Sequence, residues 1–187
     1  MKIIFALGNP GPDYKNSRHN VGFMALDTFA ASLKADWSQK PRFSASIAEV
    51  SVEGEKALLV KPTTFYNETG LSARQIIDFY KIDQQNDLLV IHDDIALPFG
   101  VIRIRKQGSD AGNNGIKSLN AHLGPDYSRV RIGTDNDLHI QMDDADFVLA
   151  KFSADEAKKL GKDIIPQAMK IIKQFCTNDI KITSYQF

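Results

Sequence analysis

Four polar residues in the first half of the chain are of the types that carry out general-base chemistry. Asn9 and His19 lie in LGNPGPDYKNSRHNVGF (residues 7–23), a loop that follows a short apolar run. Asn67 follows ALLVK, and Asp93 follows LLVIH. An imidazole beside a carboxylate is a common general-base pair, because the carboxylate fixes the tautomer and stabilises the imidazolium that forms. Asparagine amides supply N–H donors suited to a carbonyl or a developing oxyanion.

The sequence favours water as the nucleophile. It contains no G-x-S-x-G segment, and its only cysteine, Cys176, lies in an apolar helical pattern typical of a packed thiol. A structural interpretation stays open for His19 and the asparagines. In that interpretation His19 begins a helix and the asparagines form turns.

Strand and helix signals alternate along the chain, without repeats or linkers. They predict strands at 1–7, 43–61 (a hairpin turning at Glu53-Gly54), 87–94, 101–106 and 128–133, and helices at 20–34, 70–80, 114–123 and after Ser153. Ser153 and Glu156 form a capping box, and Pro166 is expected to kink the last helix. The pattern predicts a single-domain α/β fold over residues 1–187, a three-layer sandwich with a mixed twisted sheet and helices on both faces.

This order of elements would bring the polar residues together. Ligands of open α/β sheets bind outside the carboxyl ends of the parallel strands. If the strands before Asn9, Asn67 and Asp93 run parallel, the three side chains meet at one edge of the sheet. His19 would return to the same edge at the start of the first helix.

The charge is balanced overall but not locally. The chain has 23 basic and 23 acidic residues, so any attraction for a polyanion must come from one region. Residues 100–133 contain two acidic side chains and six basic ones, whereas 134–147 contain five Asp and no Lys or Arg. Nucleic-acid phosphate is a natural partner for the six basic side chains, and a merely solvated face is the alternative. They are Arg103, Arg105, Lys106, Lys117, Arg129 and Arg131.

Metal and nucleotide sites are poorly supported. Asp93 and Asp94 are neighbours on a strand and point apart, and DNDLHIQMDDAD lacks the glycine and glutamate of an EF-hand. RIRKQGSDAGNNGIKSL matches no dinucleotide or phosphate-loop motif. We therefore expect no cofactor and no metal. We expect Asp94 to be solvated or bonded to nearby backbone, and His122 and His139 to be structural or solvated.

No leader pattern or membrane-length apolar run is evident, so we expect a cytoplasmic protein that makes no membrane contact.

Five motifs, in order over about residues 3–152, together resemble the bacterial peptidyl-tRNA hydrolase family. They are LGNPGPDYKNSRHNVGF, KPTTFYNETG, VIHDDIALPFG, NNGIKSL and RVRIG. The resemblance implies hydrolysis of the ester between a peptide and the 3′ ribose of tRNA, with the acceptor stem and 3′ end as the parts of tRNA that are bound. It also implies a monomeric enzyme of translation that uses no metal.

The resemblance implies a role for each matching residue. It makes His19 the base and Asp93 its partner, and Asn114 a ligand of the water and the oxyanion. Asn9 and Asn67 would hold the peptidyl and acceptor-end parts of the substrate. Tyr14 and Tyr66 fall at substrate-binding positions, and the positions matched to tRNA phosphate are Arg103, Arg105 and Arg131.

Three segments depart from the family pattern. Asn113 replaces a histidine, Tyr66 replaces a methionine, and TDNDLHIQMDD replaces a glycine-rich continuation after RVRIG. We expect these changes to affect the tRNA grip and the lid over the site more than the His19–Asp93 pair. Two alternatives stay open, a catalytically weakened module that binds the tRNA acceptor end and a hydrolase of small esters.

Overall fold

One eight-stranded mixed sheet organises the protein. The computed structural model describes all residues, 1–187. The strands, in chain order, are β1 (Lys2–Ala6), β2 (Ser38–Lys40), β3 (Ala45–Val52), β4 (Glu55–Pro62), β5 (Leu88–Pro98), β6 (Val101–Arg105), β7 (Ser128–Asp135) and β8 (Ser184–Gln186). Their spatial order is β2-β3-β4-β1-β5-β7-β6-β8, and the four central strands β4, β1, β5 and β7 run parallel. This confirms the parallel arrangement that the site prediction required.

Helices cover both faces of the sheet, as the three-layer prediction expects. They are α1 (Val21–Ser32), α2 (Thr69–Tyr80), α3 (Gln84–Asp87), α4 (Asn114–Leu123), α5 (Asp144–Leu149), α6 (Ala154–Lys159) and α7 (Ile165–Cys176). Short 3-10 helices occur at Pro12–Tyr14, Arg18–Asn20, Pro41–Phe43, Tyr66–Glu68 and Asp137–Gln141. No helix is long and apolar enough to cross a membrane.

Each face of the sheet packs one hydrophobic cluster. Phe29 of α1 and Ile171 of α7 belong to the cluster on one face, and Ile76 of α2 and Leu119 of α4 belong to the other. All four side chains are fully buried. Cys176 is buried in the first cluster, and burial raises the pKa of its thiol to about 11, which confirms the prediction of a packed thiol.

The predicted elements differ from the observed ones mainly at their ends and in the last helix. The capping box of Ser153 and Glu156 is present. Just before Pro166 the helix forms a π-helical turn, Leu160–Ile164, because proline has no N–H to donate to the preceding turn. The edge strands β2 and β8 were not predicted, since three residues carry too little alternation to be recognised.

Gly22 allows the first helix to lie close to the sheet. A Cβ at this position would lie 2.6 Å from the carbonyl oxygen of Ile91 and 2.8 Å from that of Leu7. A glycine is therefore needed for α1 to begin directly over β1 and β5. This close approach carries His19, three residues earlier, to the carboxyl end of β5.

We expect Gly22→Ala to lower the free energy of unfolding by about 1–3 kcal/mol, because the added methyl forces backbone apart in a packed region. Denaturant unfolding measures the change. Gly161→Ala is the matched control, since no atom lies within 4 Å of the added Cβ and the residue is helical. Equal effects of the two substitutions would contradict a close-approach role for Gly22.

Candidate active site

The structure brings His19 and Asp93 into direct contact at the carboxyl edge of the parallel strands. The Nδ1 atom of His19 lies 2.7 Å from Oδ2 of Asp93, and the side chain of Asp93 is only 1% exposed. Burial disfavours the charged carboxylate, but the charge and hydrogen bond of His19 and a hydrogen bond from Tyr66 together hold the pKa of Asp93 below its ordinary value. An ionised Asp93 can only accept, so Nδ1 carries the proton. In the neutral imidazole Nε2 then has the lone pair, and it makes no hydrogen bond within the protein.

Tyr66 completes the surroundings of the pair. It begins the 3-10 helix after β4, and its hydroxyl donates to Oδ1 of Asp93 at 2.6 Å. Its ring stacks on the His19 imidazole at 3.8 Å between centroids, with an angle of 7° between the planes. Burial and the charge of Asp93 raise the pKa of Tyr66 well above its ordinary value. The phenol therefore stays protonated and acts as a donor.

Asn9 is fixed so that its amide N–H groups remain available. Its backbone N–H donates to Oδ1 of Asn20 at 2.8 Å, and its backbone carbonyl accepts from Nδ2 of Asn20 at 3.0 Å. Its side-chain oxygen accepts the backbone N–H of Tyr66 at 2.9 Å. The Nδ2 donors of Asn9 have no partner within the protein and are free to bind a carbonyl oxygen.

These side chains line a cavity of about 430 Å³. Its walls are formed by Asn9, His19, Phe65, Tyr66, Asn67, Asp93, Asp94, Ile95, residues 110–114, Asp144, Ala145, Val148 and Leu149. The side chains of Asn67 and Asn114 are exposed and make no hydrogen bond within the protein. His19 and several free amide donors therefore line one space.

The structure corrects our expectation for Asn113. We predicted that this residue belongs to the lid, but it is the N-cap of α4, where its Oδ1 accepts the backbone N–H of Ile116 at 3.0 Å. Its Nδ2 donates to the hydroxyl of Tyr66 at 3.0 Å and to the backbone oxygen of Asp93 at 3.3 Å. Two of the three departures from the family pattern, Tyr66 and Asn113, thus lie directly beside the His19–Asp93 pair.

Arg18 is a structural residue of the site that sequence reasoning missed. Its side chain is fully buried, and its Nη2 donates to both carboxylate oxygens of Glu156 at 3.0 and 3.1 Å. The guanidinium also lies 4.6 Å from the ring centre of Phe147 in α5, the helix that forms one wall of the cavity. It thereby ties the residue next to His19 to α5 and α6. A separation of 138 residues leaves no local signal for this contact.

His139 is structural, which is one of the two alternatives that we expected for it. Its Nδ1 lies 2.7 Å from Asp135 and its Nε2 lies 2.9 Å from Asp144, while its ring stacks on Phe147 at 4.3 Å. Hydrogen bonds to Asp144 and Asp135 raise the pKa of His139. His139 therefore links Asp135 at the end of β7 to Asp144 at the start of α5.

Asp94 is buried, and our expectation for it is confirmed only in part. It accepts the backbone N–H of Ala96 at 2.9 Å, as a bond to nearby backbone requires. It also pairs with Nε of Arg131 and is 8% exposed, so it is not solvated.

The predicted phosphate-binding arginines share one face of the sheet. Arg103 pairs with Arg131 across β6 and β7, and Arg105 pairs with Arg129. Arg105, Arg129, Arg131 and His92 line a cavity of about 240 Å³ that adjoins the first one at Asp94, Asp110 and Ala111. Arg103 does not line it.

One further residue differs from its sequence interpretation, and another lies outside the cavity. Arg129 is buried and donates to the carbonyls of Gly108 and Ser109, both at 2.8 Å, so it holds the loop and is not a free member of the basic patch. Tyr14 lies in the first 3-10 helix, outside the cavity wall.

The fold and this edge of the sheet define an α/β enzyme whose cavity holds a hydrogen-bonded histidine–carboxylate pair and amide donors. A family model described as peptidyl-tRNA hydrolase matches residues 3–187. Proteins named peptidyl-tRNA hydrolase from Lactococcus lactis and Campylobacter hominis are 41% and 43% identical to the chain; the alignments cover all of this chain and 98% and 80% of theirs. The peptidyl-tRNA hydrolase structure from Acinetobacter baumannii superposes with a TM-score of 0.86 at 29% identity, over 95% of this chain and 89% of that one. The chain belongs to the peptidyl-tRNA hydrolase family.

The contacts of His139 with Asp135 and Asp144 should depend on pH. Because the folded protein raises the pKa of His139, its contribution is fully present below the ordinary value of 6.5 and is lost as the pH rises through the raised value. In an NMR titration, we expect Asp144→Asn to lower the pKa of His139. Asp137→Asn is the control, since Asp137 makes no hydrogen bond to the imidazole. An unchanged pKa of His139 in Asp144→Asn would contradict the contact between Asp144 and the imidazole.

Proposed function

We propose that this protein hydrolyses the ester bond of peptidyl-tRNA by attack of a water molecule, with His19 as the general base. The observation that carries the proposal is the hydrogen bond from His19 to the buried Asp93, which leaves Nε2 without a partner in a residue that lines a cavity with amide donors. Membership of the family supports the choice of substrate.

The first step is attack on the acyl carbon. Nε2 of His19 takes a proton from water as the water oxygen bonds to the carbonyl carbon, and Asp93 stabilises the imidazolium. The charge that develops on the carbonyl oxygen is met by an amide N–H, a role that we assign to Asn114. Asn9 and Asn67 hold the peptidyl and acceptor-end parts of the substrate.

The second step breaks the ester. The tetrahedral intermediate collapses, and the C–O bond to the 3′ ribose breaks. The departing oxygen takes the proton that Nε2 received, so His19 returns to its starting state. The products are a peptide with a free carboxyl group and a tRNA with a free 3′ hydroxyl.

The adjoining cavity provides a place for tRNA phosphate. Arg105 and Arg131 both line this cavity, and Asp94 pairs with Arg131 whereas no carboxylate pairs with Arg105. An anion between Arg105 and Arg131 would supply the missing negative charge. A small ester would have no use for this cavity, which favours peptidyl-tRNA over the small-ester alternative.

Since the substrate is a product of translation, we propose that the enzyme acts in the cytoplasm. We also propose that it acts as a monomer, as the resemblance to the family implies.

We expect His19→Ala to lower kcat for peptidyl-tRNA by about 10²- to 10⁴-fold while KM changes little, because the imidazole acts in the transition state and contributes little to ground-state binding. Release of free tRNA measures turnover, and aminoacyl-tRNA is the control substrate. His122→Ala is the control variant, since His122 lies in α4 and bonds only to the carbonyl of Ser118. Turnover by His19→Ala at the wild-type rate would overturn the assignment of the base.

The phosphate site is best tested at Arg105, because removal of Arg131 would also leave the buried Asp94 unpaired. Arg105→Ala should raise KM for peptidyl-tRNA and reduce the slope of its salt dependence by about 1, as loss of one phosphate contact does. A minimal ester without the tRNA body should be cleaved as before. Arg74→Ala, which removes a partly exposed arginine on α2, outside both cavities, is the matched control. Equal losses with both substrates would mean that Arg105 supports the fold.

A further inference from the structure

We infer that Tyr66, held by Asn113, is a positioning residue that fixes the catalytic geometry of His19 and Asp93. The inference rests on the proposed function for its kinetic consequences, but the contacts that carry it do not involve substrate.

Tyr66 donates a hydrogen bond to the second oxygen of the catalytic carboxylate. Oδ2 of Asp93 faces His19 at 2.7 Å, and Oδ1 accepts the hydroxyl of Tyr66 at 2.6 Å. A carboxylate held at both oxygens cannot rotate away from the imidazole without losing a bond in the buried interior, where an unmade hydrogen bond is costly. Tyr66 therefore determines the direction in which Asp93 faces His19.

Asn113 determines the direction of the Tyr66 hydroxyl. The phenol oxygen accepts from Nδ2 of Asn113 at 3.0 Å, so its own proton is directed to Asp93. The oxygen of the Asn113 amide is fixed by its N-cap bond to Ile116, which defines which end of the amide faces Tyr66. The result is a directed chain of donors from Asn113 through Tyr66 to Asp93, in which each bond polarises the next.

The ring of Tyr66 fixes the plane of the imidazole. The two rings are 3.8 Å apart and nearly parallel, so a tilt of His19 toward Tyr66 would cause a steric clash. An aromatic face also stabilises the cation that forms when His19 accepts a proton.

The neighbouring backbone is shaped to receive this ring. A Cβ on Gly115 would lie 2.4 Å from Cε1 of Tyr66, so only glycine leaves room for the phenol at this position. The backbone N–H of Tyr66 is held by Oδ1 of Asn9 at 2.9 Å. With 4% of its surface exposed, Tyr66 is held by the protein and acts on the reaction through its two catalytic neighbours.

Tyr66→Phe tests the hydroxyl separately from the ring. We expect kcat for peptidyl-tRNA to fall about tenfold, the effect of losing one hydrogen bond to a charged group, with KM changed by less than about twofold. Because Asp93 loses a donor that lowers its pKa, the acid limb of the kcat profile should move to higher pH. Asn113→Ser keeps an N-cap oxygen but removes the amide donor, and it should shift the limb in the same direction.

Tyr66→Leu removes the ring as well and should be slower than Tyr66→Phe. Tyr127→Phe is the matched control, because it also removes a buried hydroxyl, one that donates to Asn120 away from the cavity. We expect its kcat and pH profile to match those of the wild type, although its stability falls.

A readout without turnover separates this inference from the proposed function. If the wild type fails to cleave peptidyl-tRNA, the proposed function fails, but the exchange rate of the His19 Nδ1 proton in NMR spectra still reports the contact with Asp93. We expect faster exchange in Tyr66→Phe than in the wild type or Tyr127→Phe. Unchanged exchange would overturn the inference, as would an unchanged kcat and pH profile in Tyr66→Phe or a rise in KM alone, which would make Tyr66 a substrate contact.

Discussion

The structure of the site depends on burying one ionised carboxylate. Asp93 is 1% exposed, and a charge removed from water destabilises the fold unless hydrogen bonds and a counter-charge replace its hydration. His19 and Tyr66 supply the bonds to its two oxygens, and Asn113 and His92 bind its backbone carbonyl. The same contacts that make burial tolerable also leave the far nitrogen of His19 free for chemistry, so stability and function share one set of interactions.

The backbone is arranged so that these partners can reach Asp93. Parallel pairing of β4, β1 and β5 brings Tyr66, Asn9 and Asp93 to one edge, and the close approach at Gly22 adds His19. Gly115 leaves room for the Tyr66 ring in the first turn of α4. Farther out, Arg18 and His139 contact Phe147 of α5, which fixes one wall of the cavity relative to the pair.

The sequence was sufficient to predict the sheet and the main pair. Asn9 and Asp93 each follow a continuous apolar strand, and the end of a strand can be recognised from local sequence. Parallel pairing of these strands then places the two residues at one edge of the sheet. Partners distant in the chain could not be predicted in this way. Tyr66 meets Asp93 across 27 residues and Asn113 meets Tyr66 across 47, and such contacts depend on side-chain conformation and strand order that no local pattern encodes. For the same reason the sequence did not show that His139 and Asp94 have charged partners.

The central claim is that Asp93 holds His19 in the tautomer whose Nε2 can accept a proton from water. Nitrogen-15 NMR of the imidazole, at a pH where the enzyme turns over, measures this most directly. The account predicts that Nδ1 has the chemical shift of a protonated, hydrogen-bonded nitrogen and Nε2 that of an unprotonated one. A proton on Nε2 with Nδ1 bare would contradict it, because His19 could then neither donate to Asp93 nor act as the base.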